Sequence, residues 1–375
     1  MEFVIRQRDF LRGLARTHAV ADRKNSMPIL SNVLLTADGN GRLRLSATDL
    51  YLGVSAVVPA EITKGGSITV AARTLFDIVK AMPDGDIHWN EDGSASTLVQ
   101  GKIRYTIPGL PGDDFPPLPN PGDADFAVVD AAQVAELIGL TSYSMSSDDT
   151  RPHLAGTLFE GDGKVLRMVT TDGHRLSKAE SKIDGEGMLN YSMLVPHKGV
   201  GELKRVLDDA KGSKGADTPP KVEIATVAGN AFFKRDDVLL SVKLADEQFP
   251  PYDKVIPQKQ TKRVVALRAR LLDALRRISL VASDKSGGVQ LHLEEGFLRI
   301  QSQNPDVGEG AEEVEVDYAG DSVSIGFNAR YLLDALGALS HDEVALELNG
   351  ELDPGVVRPV GDGTDYVGVI MPMRI

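Results

Sequence analysis

The sequence predicts an α+β protein built from three homologous domains, each with two helices packed on antiparallel sheet. The first observation is a repeated segment, which occurs as VAARTLFDIVKAM, as VPHKGVGELKRVL and as GFNARYLLDALGAL. Aligned without gaps, the three copies share an acidic residue at Asp77, Glu202 and Asp334, with apolar residues on both sides. These acidic residues are 125 and then 132 positions apart, a spacing that predicts three folding units.

The length and composition agree with this count. A chain of 375 residues with 42% hydrophobic and 25% charged residues is ordinary for a globular protein and predicts two or three cores. The apolar runs are too short to span a bilayer and the N-terminus lacks the apolar core of a signal peptide, so we expect a cytoplasmic protein. The absence of cysteine excludes disulfides, thiolate catalysis and cysteine-ligated metal sites. The net charge of -13 argues against a general nucleic-acid coat but allows a local basic surface.

The first unit is predicted to begin with a helix from Arg8 to Ala19 that has one basic face. Apolar runs broken by a Gly-rich turn predict strands between residues 29 and 58, before the repeated helix at Arg73 to Met82. More strands are expected over residues 87–110. The Pro-rich run DFPPLPNPGD then indicates a linker.

The same order recurs twice. In the second unit, Asp130 and Gln133 form a predicted capping box for a helix, strands follow, and the repeated helix is expected at His197 to Leu207. This unit ends in QFPPYDKVIP, which repeats the pattern of DFPPLP. In the third unit we expect a helix over residues 264–285 with arginines on its outer face, before strands that flank the repeated helix.

The predicted number of helices bears on whether a ring could hold DNA. Six helices spaced about 10 Å apart around a closed ring would enclose an opening of about 19 Å, too narrow for hydrated duplex. Twelve helices from two chains would enclose about 38 Å, which would pass a duplex with a water layer.

Several segments together carry a family resemblance: ATDL, TTDGHRL, the endings DFPPLP and FPPYDKVIP, IGFNARYLLDAL and the C-terminal MPMRI. Over the whole chain they resemble the bacterial sliding clamp family, the β subunits of DNA polymerase III. The resemblance implies a DNA clamp fold, a head-to-tail homodimeric ring that encircles double-stranded DNA without sequence specificity and tethers the replicative polymerase. It also implies a clamp loader and other clamp-motif proteins as partners, no catalysis, no cofactor, no metal and no membrane. The expected domains are residues 1–124, 125–253 and 254–375.

By position in the resembled pattern, the residues implied to face DNA are Arg23, Lys24, Arg73, Arg151, His153, Lys198 and Arg205. Loose phosphate contacts through long cationic side chains suit a protein that must slide. Pro152 and His153 replace the paired tyrosines of the enterobacterial pattern, which weakens the expectation of aromatic stacking on single-stranded template.

The resemblance also places a peptide pocket between the second and third domains. The implied lining residues are Leu154, Thr171, Gly173, His174, Arg175, Leu176, Pro250, Val255, Tyr331, Leu352, Pro354, Val369, Ile370, Met371, Pro372, Met373 and Arg374. Their apolar side chains suit an adaptable groove for an extended peptide. A competing interpretation is that residues 367–373 form only a final core strand. Lys254 and Ser286 depart from the residues that the family often has, so partner affinities are expected to differ.

A dimer interface is implied at Tyr105 and Ile107 on one surface and at Leu280 and Val281 on the other. Residues 102–107 alternate apolar and polar side chains, which is typical of an edge strand that lacks a partner. Acidic residues of the third unit, Glu309, Glu312 and Glu313, could complement Lys102 and Arg104 of the first. Because the two surfaces differ, the contact is heterologous and must close by rotation.

Two function classes remain open from the residues alone. Asp172, His174, Arg175 and Ser177 could form a hydrolase constellation, but residues so close in sequence rarely converge as nucleophile, base and orienter. The chain contains no HExxH, P-loop or GxGxxG motif. The alternatives are therefore a DNA-tethering scaffold and a stand-alone peptide-binding or hydrolytic protein whose basic helices are only solvated faces.

Overall fold

The computed structural model describes residues 1–21, 27–38, 40–148, 150–183, 189–208, 219–282 and 287–375. The helices of these residues are α1 (Gln7–Thr17), α2 (Ala72–Ala81), α3 (Ala131–Thr141), α4 (His197–Leu207), α5 (Arg268–Ser279) and α6 (Ala329–Ala338). The strands are β1 (Glu2–Arg6), β2 (Asn32–Ala37), β3 (Arg42–Thr48), β4 (Leu52–Pro59), β5 (Glu61–Lys64), β6 (Gly66–Ala71), β7 (Asp86–Asp92), β8 (Ala95–Gln100), β9 (Ile103–Pro111), β10 (Ala127–Asp130), β11 (Gly156–Gly163), β12 (Val165–Thr171), β13 (Arg175–Lys182), β14 (Leu189–Pro196), β15 (Lys221–Val227), β16 (Asn230–Arg235), β17 (Val238–Lys243), β18 (Lys262–Leu267), β19 (Gly288–Glu294), β20 (Phe297–Asn304), β21 (Gly308–Glu315), β22 (Val323–Asn328), β23 (Glu343–Leu348), β24 (Gly355–Pro359) and β25 (Asp365–Ile370). Within the described ranges, no helix has the length and apolar character needed to cross a bilayer.

Each third of the chain repeats one order of elements. A strand leads directly into the first helix of each third, so that β1 precedes α1, β10 precedes α3 and β18 precedes α5. The repeated segment forms the second helix of each third, α2, α4 and α6. Eight or nine strands accompany each pair of helices. The predicted arrangement of three homologous α+β domains is therefore confirmed.

The helix expected over residues 264–285 was predicted too long at its N-terminal end. Lys262–Leu267 is the strand β18, which pairs antiparallel with β23, and α5 begins only at Arg268. Val264 and Ala266 are buried while Leu267 is exposed. This alternation with a period of two is the signal of a strand, and it was overlooked beside the strong helical pattern that follows.

The chain forms two compact units, of which the first contains Met1–Ala131 and Gly201–Leu244. It holds a 13-stranded sheet in the order β10-β15-β16-β17-β4-β3-β2-β6-β9-β8-β7-β1-β5. Phe3 and Trp89 stack in its core with ring centroids 5.5 Å apart, and Phe10 meets both rings edge-on. Leu14 of α1 and Leu75 of α2 are fully buried beside them, so the helices cover one face of the sheet with their apolar sides.

The second unit contains residues 132–183, 189–200 and 245–375. It holds an 8-stranded sheet in the order β14-β11-β12-β13-β25-β24-β23-β18 and a 4-stranded sheet in the order β21-β20-β19-β22. In the larger sheet β13 pairs with β25, which sets Leu176 opposite Val369. This pairing brings the TTDGHRL segment beside the C-terminal strand and so positions the candidate site.

Candidate functional site

The turn from Thr171 to Arg175, here called the Thr171 turn, joins β12 to β13 and is held by its own side chains. Asp172 Oδ1 accepts hydrogen bonds from the backbone N–H groups of His174 (2.9 Å) and Arg175 (3.1 Å). The Thr171 hydroxyl donates to the Arg175 carbonyl (2.6 Å) and accepts from the Gly173 N–H (3.1 Å). Gly173 has a φ of 91°, in the left-handed region that favours glycine. The TTDGHR sequence therefore specifies one rigid turn.

Arg175 connects this turn to the third domain. Its Nε donates to Asp172 Oδ2 (3.0 Å), its Nη1 to Asp334 Oδ2 on α6 (2.6 Å) and its Nη2 to the Tyr143 carbonyl (2.8 Å). The guanidinium carbon lies 4.5 Å from the ring centroid of Tyr331. Burial by itself would lower the pKa of Arg175, but the interactions with Asp334 and Asp172 raise that pKa above its ordinary value. Arg175 is 9% exposed and is therefore a fixed, fully charged group beneath the surface.

These positions do not form a hydrolase constellation. Asp172 is engaged by the turn and by Arg175, and Ser177 is fully buried within β13. His174 is exposed and lies parallel to Tyr331, with 6.4 Å between the ring centroids. The described part of the chain also holds no group of three or more His, Cys, Asp or Glu side chains suited to a metal ion. The segment is a rigid turn whose polar groups bond to one another.

Four of the predicted pocket residues are core residues. Leu176 and Val369 face each other in a buried cluster, and Ile370 and Leu154 are buried as well. The final strand β25 ends at Ile370, before the last residues of the predicted pocket. The side chains of these four residues are nearly covered in the single chain, and their place in the pocket lining stays a prediction.

The C-terminal tail, residues 371–375, leaves the sheet but stays attached by its backbone. The Met371 N–H donates to the His174 carbonyl (2.9 Å), and the Met373 N–H donates to the Gly326 carbonyl (2.8 Å). Met371 and Arg374 are exposed, while Pro372 and Met373 are half-buried. The tail therefore holds apolar side chains at the surface next to the Thr171 turn.

Four further predicted pocket residues lie on loops, namely Pro250, Val255, Leu352 and Pro354. Pro354 immediately precedes β24, which pairs with β25, and Leu352 is exposed two residues earlier. Pro250 and Val255 flank Tyr252, which packs in the same cluster as Val369. Val255 and Leu352 are both exposed and add apolar surface.

Two of the predicted DNA-facing arginines form ion pairs within their own helices. Arg73 pairs with Asp77 at 2.9 Å and Arg205 pairs with Glu202 at 2.8 Å. Asp77 and Glu202 are the acidic positions of the repeat, so the repeated acid serves to pair a helix cation. Both arginines remain exposed, and Lys198 on α4 is exposed as well. Arg23 and Lys24 lie outside the described residues.

The repeat contains a further exposed cation, Arg330. Arg73, Lys198 and Arg330 occupy the same column of the ungapped alignment, four positions before the shared acid. The Arg330 side chain is 83% exposed and lies 3.9 Å from Asp334. Reading this column of the alignment would have identified it.

Arg151, predicted to face DNA, is held against the Thr171 turn. Its Nε pairs with Asp148 (2.9 Å) and its Nη1 donates to the Asp172 carbonyl (3.1 Å). The Arg151 side chain is 40% exposed despite both contacts, and its DNA-facing role stays a prediction. His153, two residues further on, is half-buried.

The predicted edge strand is open over only part of its length. Residues 103–108 of β9 pair with β8, whereas residues 109–111 pair with β6. In the described ranges no other strand pairs with residues 103–108. Tyr105 is exposed there, whereas Ile107 packs in the core of the first domain, and their place in the interface stays a prediction.

The third domain offers a complementary edge at β21, which pairs with β20 alone among the described strands. Leu280, just after α5, is 78% exposed, and Val281 is half-buried. Glu312 accepts hydrogen bonds of 2.5 and 2.8 Å from Arg277 of its own domain. It is therefore a poorer partner for Lys102 and Arg104 than the other two glutamates. Glu309 and Glu313 are exposed.

Comparison with known proteins covers the whole chain. Models of the DNA polymerase III beta subunit match residues 1–119 (N-terminal domain), 128–251 (central domain) and 253–374 (C-terminal domain). The chain is 35% identical over 383 residues to the beta sliding clamp of Pseudomonas aeruginosa and 33% identical over 378 residues to that of Escherichia coli, with 100% of each chain covered. The crystal structure of the Pseudomonas aeruginosa sliding clamp bound to griselimycin superimposes with a TM-score of 0.92 at 33% identity, covering 100% of both chains. The chain therefore belongs to the β sliding clamp family, the non-catalytic processivity subunits of bacterial DNA polymerase III.

Proposed function

We propose that the chain forms a head-to-tail homodimeric ring that encircles duplex DNA in the cytoplasm and tethers the replicative polymerase. The observation that carries this proposal is the cation found at one position of three equivalent helices, in Arg73, Lys198 and Arg330. A cation at the same place in each domain would present the same phosphate contact repeatedly around a ring. Phosphate contacts carry no sequence information, so they permit sliding.

Further contacts are proposed beside these three. Arg205 is exposed on α4, close along the chain to Lys198, and His153 is a weaker candidate because it is half-buried. Arg23 and Lys24 stay in the proposal from their position in the family pattern. The domain boundaries proposed for this ring remain residues 1–124, 125–253 and 254–375.

The proposed dimer contact joins the open half of β9 in one protomer to β21 in the other. Among the described strands neither edge has a neighbour on its open side, which favours strand addition through the backbone N–H and C=O groups. Lys102 and Arg104 on the first edge would meet Glu309 and Glu313 on the second. Because the two edges differ, two such contacts close a ring of six domains.

The proposed peptide pocket uses the Thr171 turn as a rigid floor and the tail as an apolar wall. His174, Val255, Leu352 and Met371 supply exposed surface around them. Clamp loader subunits, polymerases and other clamp-motif proteins would insert apolar anchors there, since few buried anchors carry most of the binding energy of such contacts.

Topological retention tests the ring. Protein placed by a cognate clamp loader on a nicked circular DNA should remain bound through a high-salt wash and should leave when the circle is cut. Contacts that are only electrostatic would be lost in salt from circular and linear DNA alike. Equal retention on circular and linear DNA would contradict the ring.

A further inference from the structure

The Thr171 turn has a counterpart in the first compact unit, formed by residues 48–52 and here called the Thr48 turn. The Thr48 hydroxyl donates to the Leu52 carbonyl (2.6 Å) and accepts from the Leu50 N–H (3.0 Å). Asp49 Oδ1 accepts from the N–H groups of Tyr51 (2.9 Å) and Leu52 (2.7 Å). Each of these four hydrogen bonds has an equivalent in the Thr171 turn, residue for residue.

The strand beside the turn is equivalent too. β4 follows the Thr48 turn and pairs antiparallel with β17, as β13 follows the Thr171 turn and pairs with β25. The Tyr51 carbonyl accepts from the Lys243 N–H (2.8 Å), just as the His174 carbonyl accepts from the Met371 N–H (2.9 Å). The backbone frame of the proposed peptide pocket therefore occurs twice in the chain.

The side chains on the Thr48 turn differ from those on its counterpart. Leu50 stands where Gly173 stands and keeps a φ of 75°, a conformation that disfavours a branched side chain. Leu50 is 50% exposed and Tyr51 is 65% exposed, so burial in the core does not offset the backbone strain at Leu50. Leu118 lies against Gly53 next to the turn and is half-buried. Backbone strain combined with exposed apolar surface is typical of a binding site.

We propose that the Thr48 turn is a second peptide-docking site, which takes an extended segment carrying an apolar side chain next to a carboxylate. The apolar side chain would lie on Leu50 and Tyr51. Lys243 is exposed, and its Nζ lies 5.7 Å from the Tyr51 ring centroid, where it can pair with the carboxylate. Asp49 is buried and accepts two backbone hydrogen bonds, so its charge is directed into the turn.

The ligand class is carried over from the Thr171 turn, and in this respect the inference rests on the proposed peptide pocket. The negative charge expected on the ligand is inferred from the Thr48 turn itself, since Lys243 stands in the place of the uncharged Met371. The two sites are therefore expected to prefer different peptides.

Two short fluorescent peptides test the site, one with Leu-Phe followed by Asp and one with Leu-Phe followed by Lys. The intact chain should bind the Asp peptide more tightly than the Lys peptide. The Leu50→Gly, Tyr51→Ser variant should bind the Asp peptide at least about tenfold more weakly. Its melting temperature should stay the same or rise, because glycine adopts the left-handed conformation without strain. Val307→Ser, which removes an exposed apolar side chain from another turn, is the matched control and should keep the affinity.

Deletion of residues 371–375 separates the two sites. Asp-peptide binding that survives this deletion and is lost in the Leu50→Gly, Tyr51→Ser variant supports the second site, whatever becomes of the first. Binding that is lost with the tail and kept in the double variant refutes the second site while leaving the proposed pocket intact. Failure of the intact chain to bind the Asp peptide also overturns the inference.

Discussion

Arg175 and Arg73 both pair with an aspartate of the repeated helix, at 2.6 Å from Asp334 and 2.9 Å from Asp77. Their surroundings differ, since Arg175 is 9% exposed whereas the Arg73 side chain is 52% exposed. Removal of one partner from a buried pair leaves an uncompensated charge, while water replaces the partner in an exposed pair. The same pairing therefore supports the fold at one residue and contributes little to it at the other.

Arg175→Ala should lower the free energy of unfolding by about 3 kcal/mol, because Asp172 and the partly exposed Asp334 both lose their cation. Arg73→Ala is the matched control and should cost less than about 1 kcal/mol. Urea unfolding of both variants measures the difference. Losses of the same small size in the two would contradict the structural role of Arg175.

Two carboxyl groups have pKa values shifted in opposite directions, which makes a pH test possible. Burial raises the pKa of Glu202, although Arg205 lowers it, so the folded state disfavours the carboxylate. Glu202→Gln should therefore stabilise the protein at neutral pH. This gain should shrink as the pH falls through the folded-state pKa and vanish below the unfolded-state value of about 4.3.

The hydrogen bond from Arg277 lowers the pKa of Glu312, so this carboxylate stabilises the folded state above the unfolded-state pKa. Glu312→Gln should accordingly destabilise the protein at neutral pH. The difference should disappear as the pH falls through the lowered pKa. Denaturation midpoints of both variants across this pH range should diverge from wild type with opposite signs, and equal signs would contradict the assignment.

At the scale of elements, β25 and the tail form one continuous segment with two roles. The strand belongs to the core, and the tail belongs to the proposed pocket. Ile370 ends the strand and is buried, while Met371 begins the tail and is exposed. The tail is attached by two backbone hydrogen bonds, and its side chains add nothing to the core cluster of Leu176 and Val369. Fold and binding should therefore respond separately to changes on either side of Ile370.

Deletion of residues 371–375 should leave the melting temperature nearly unchanged. It should weaken the binding of a clamp-motif peptide at least tenfold, since each Met or Ile side chain buried by the peptide contributes roughly 1.5–3 kcal/mol. Ile370→Ala should do the reverse and cost about 2–5 kcal/mol of stability. Thermal unfolding and fluorescence anisotropy measure the two effects. A well-folded truncation that keeps its peptide affinity would exclude the tail as a pocket wall.

At the scale of the whole molecule, the proposed ring depends on the two open edges, the first half of β9 and β21. Of the apolar residues near β21, Leu280 is exposed, whereas Val281 packs against Gly310 within the third domain. A charge at Leu280 should therefore disturb assembly without disturbing the fold. Tyr105 is the corresponding exposed side chain on β9.

Tyr105→Asp combined with Leu280→Asp should give folded monomers that are not retained on circular DNA, because both protomer edges acquire a charge that must be desolvated on contact. Sedimentation velocity measures the assembly state. Leu352→Asp, which alters an exposed leucine on the loop before β24, should remain dimeric. An unchanged dimer in the double variant would rule out these edges as the interface.

The sequence by itself determined the threefold repeat and the family, because both are carried by short segments of the chain. It also determined the helix pairs, because apolar residues three and four positions apart mark a helix without reference to the rest of the chain. The hydrogen bonds of the Thr171 turn lie within five residues, so this turn is also specified locally. The prediction failed at β18, where a short strand runs directly into a helix and one pattern masks the other.

Only the tertiary structure decided which apolar residues of these motifs reach the surface. Val369 and Met371 look alike in the sequence, yet β13 covers the first and leaves the second exposed. Arg175 meets Asp334 across 159 residues of chain, a contact that no local pattern specifies. Whether a side chain is buried depends on which distant segments of the chain pack against it. Strand pairing therefore decides which side chains of a site are exposed, even where the backbone turn of that site is specified locally.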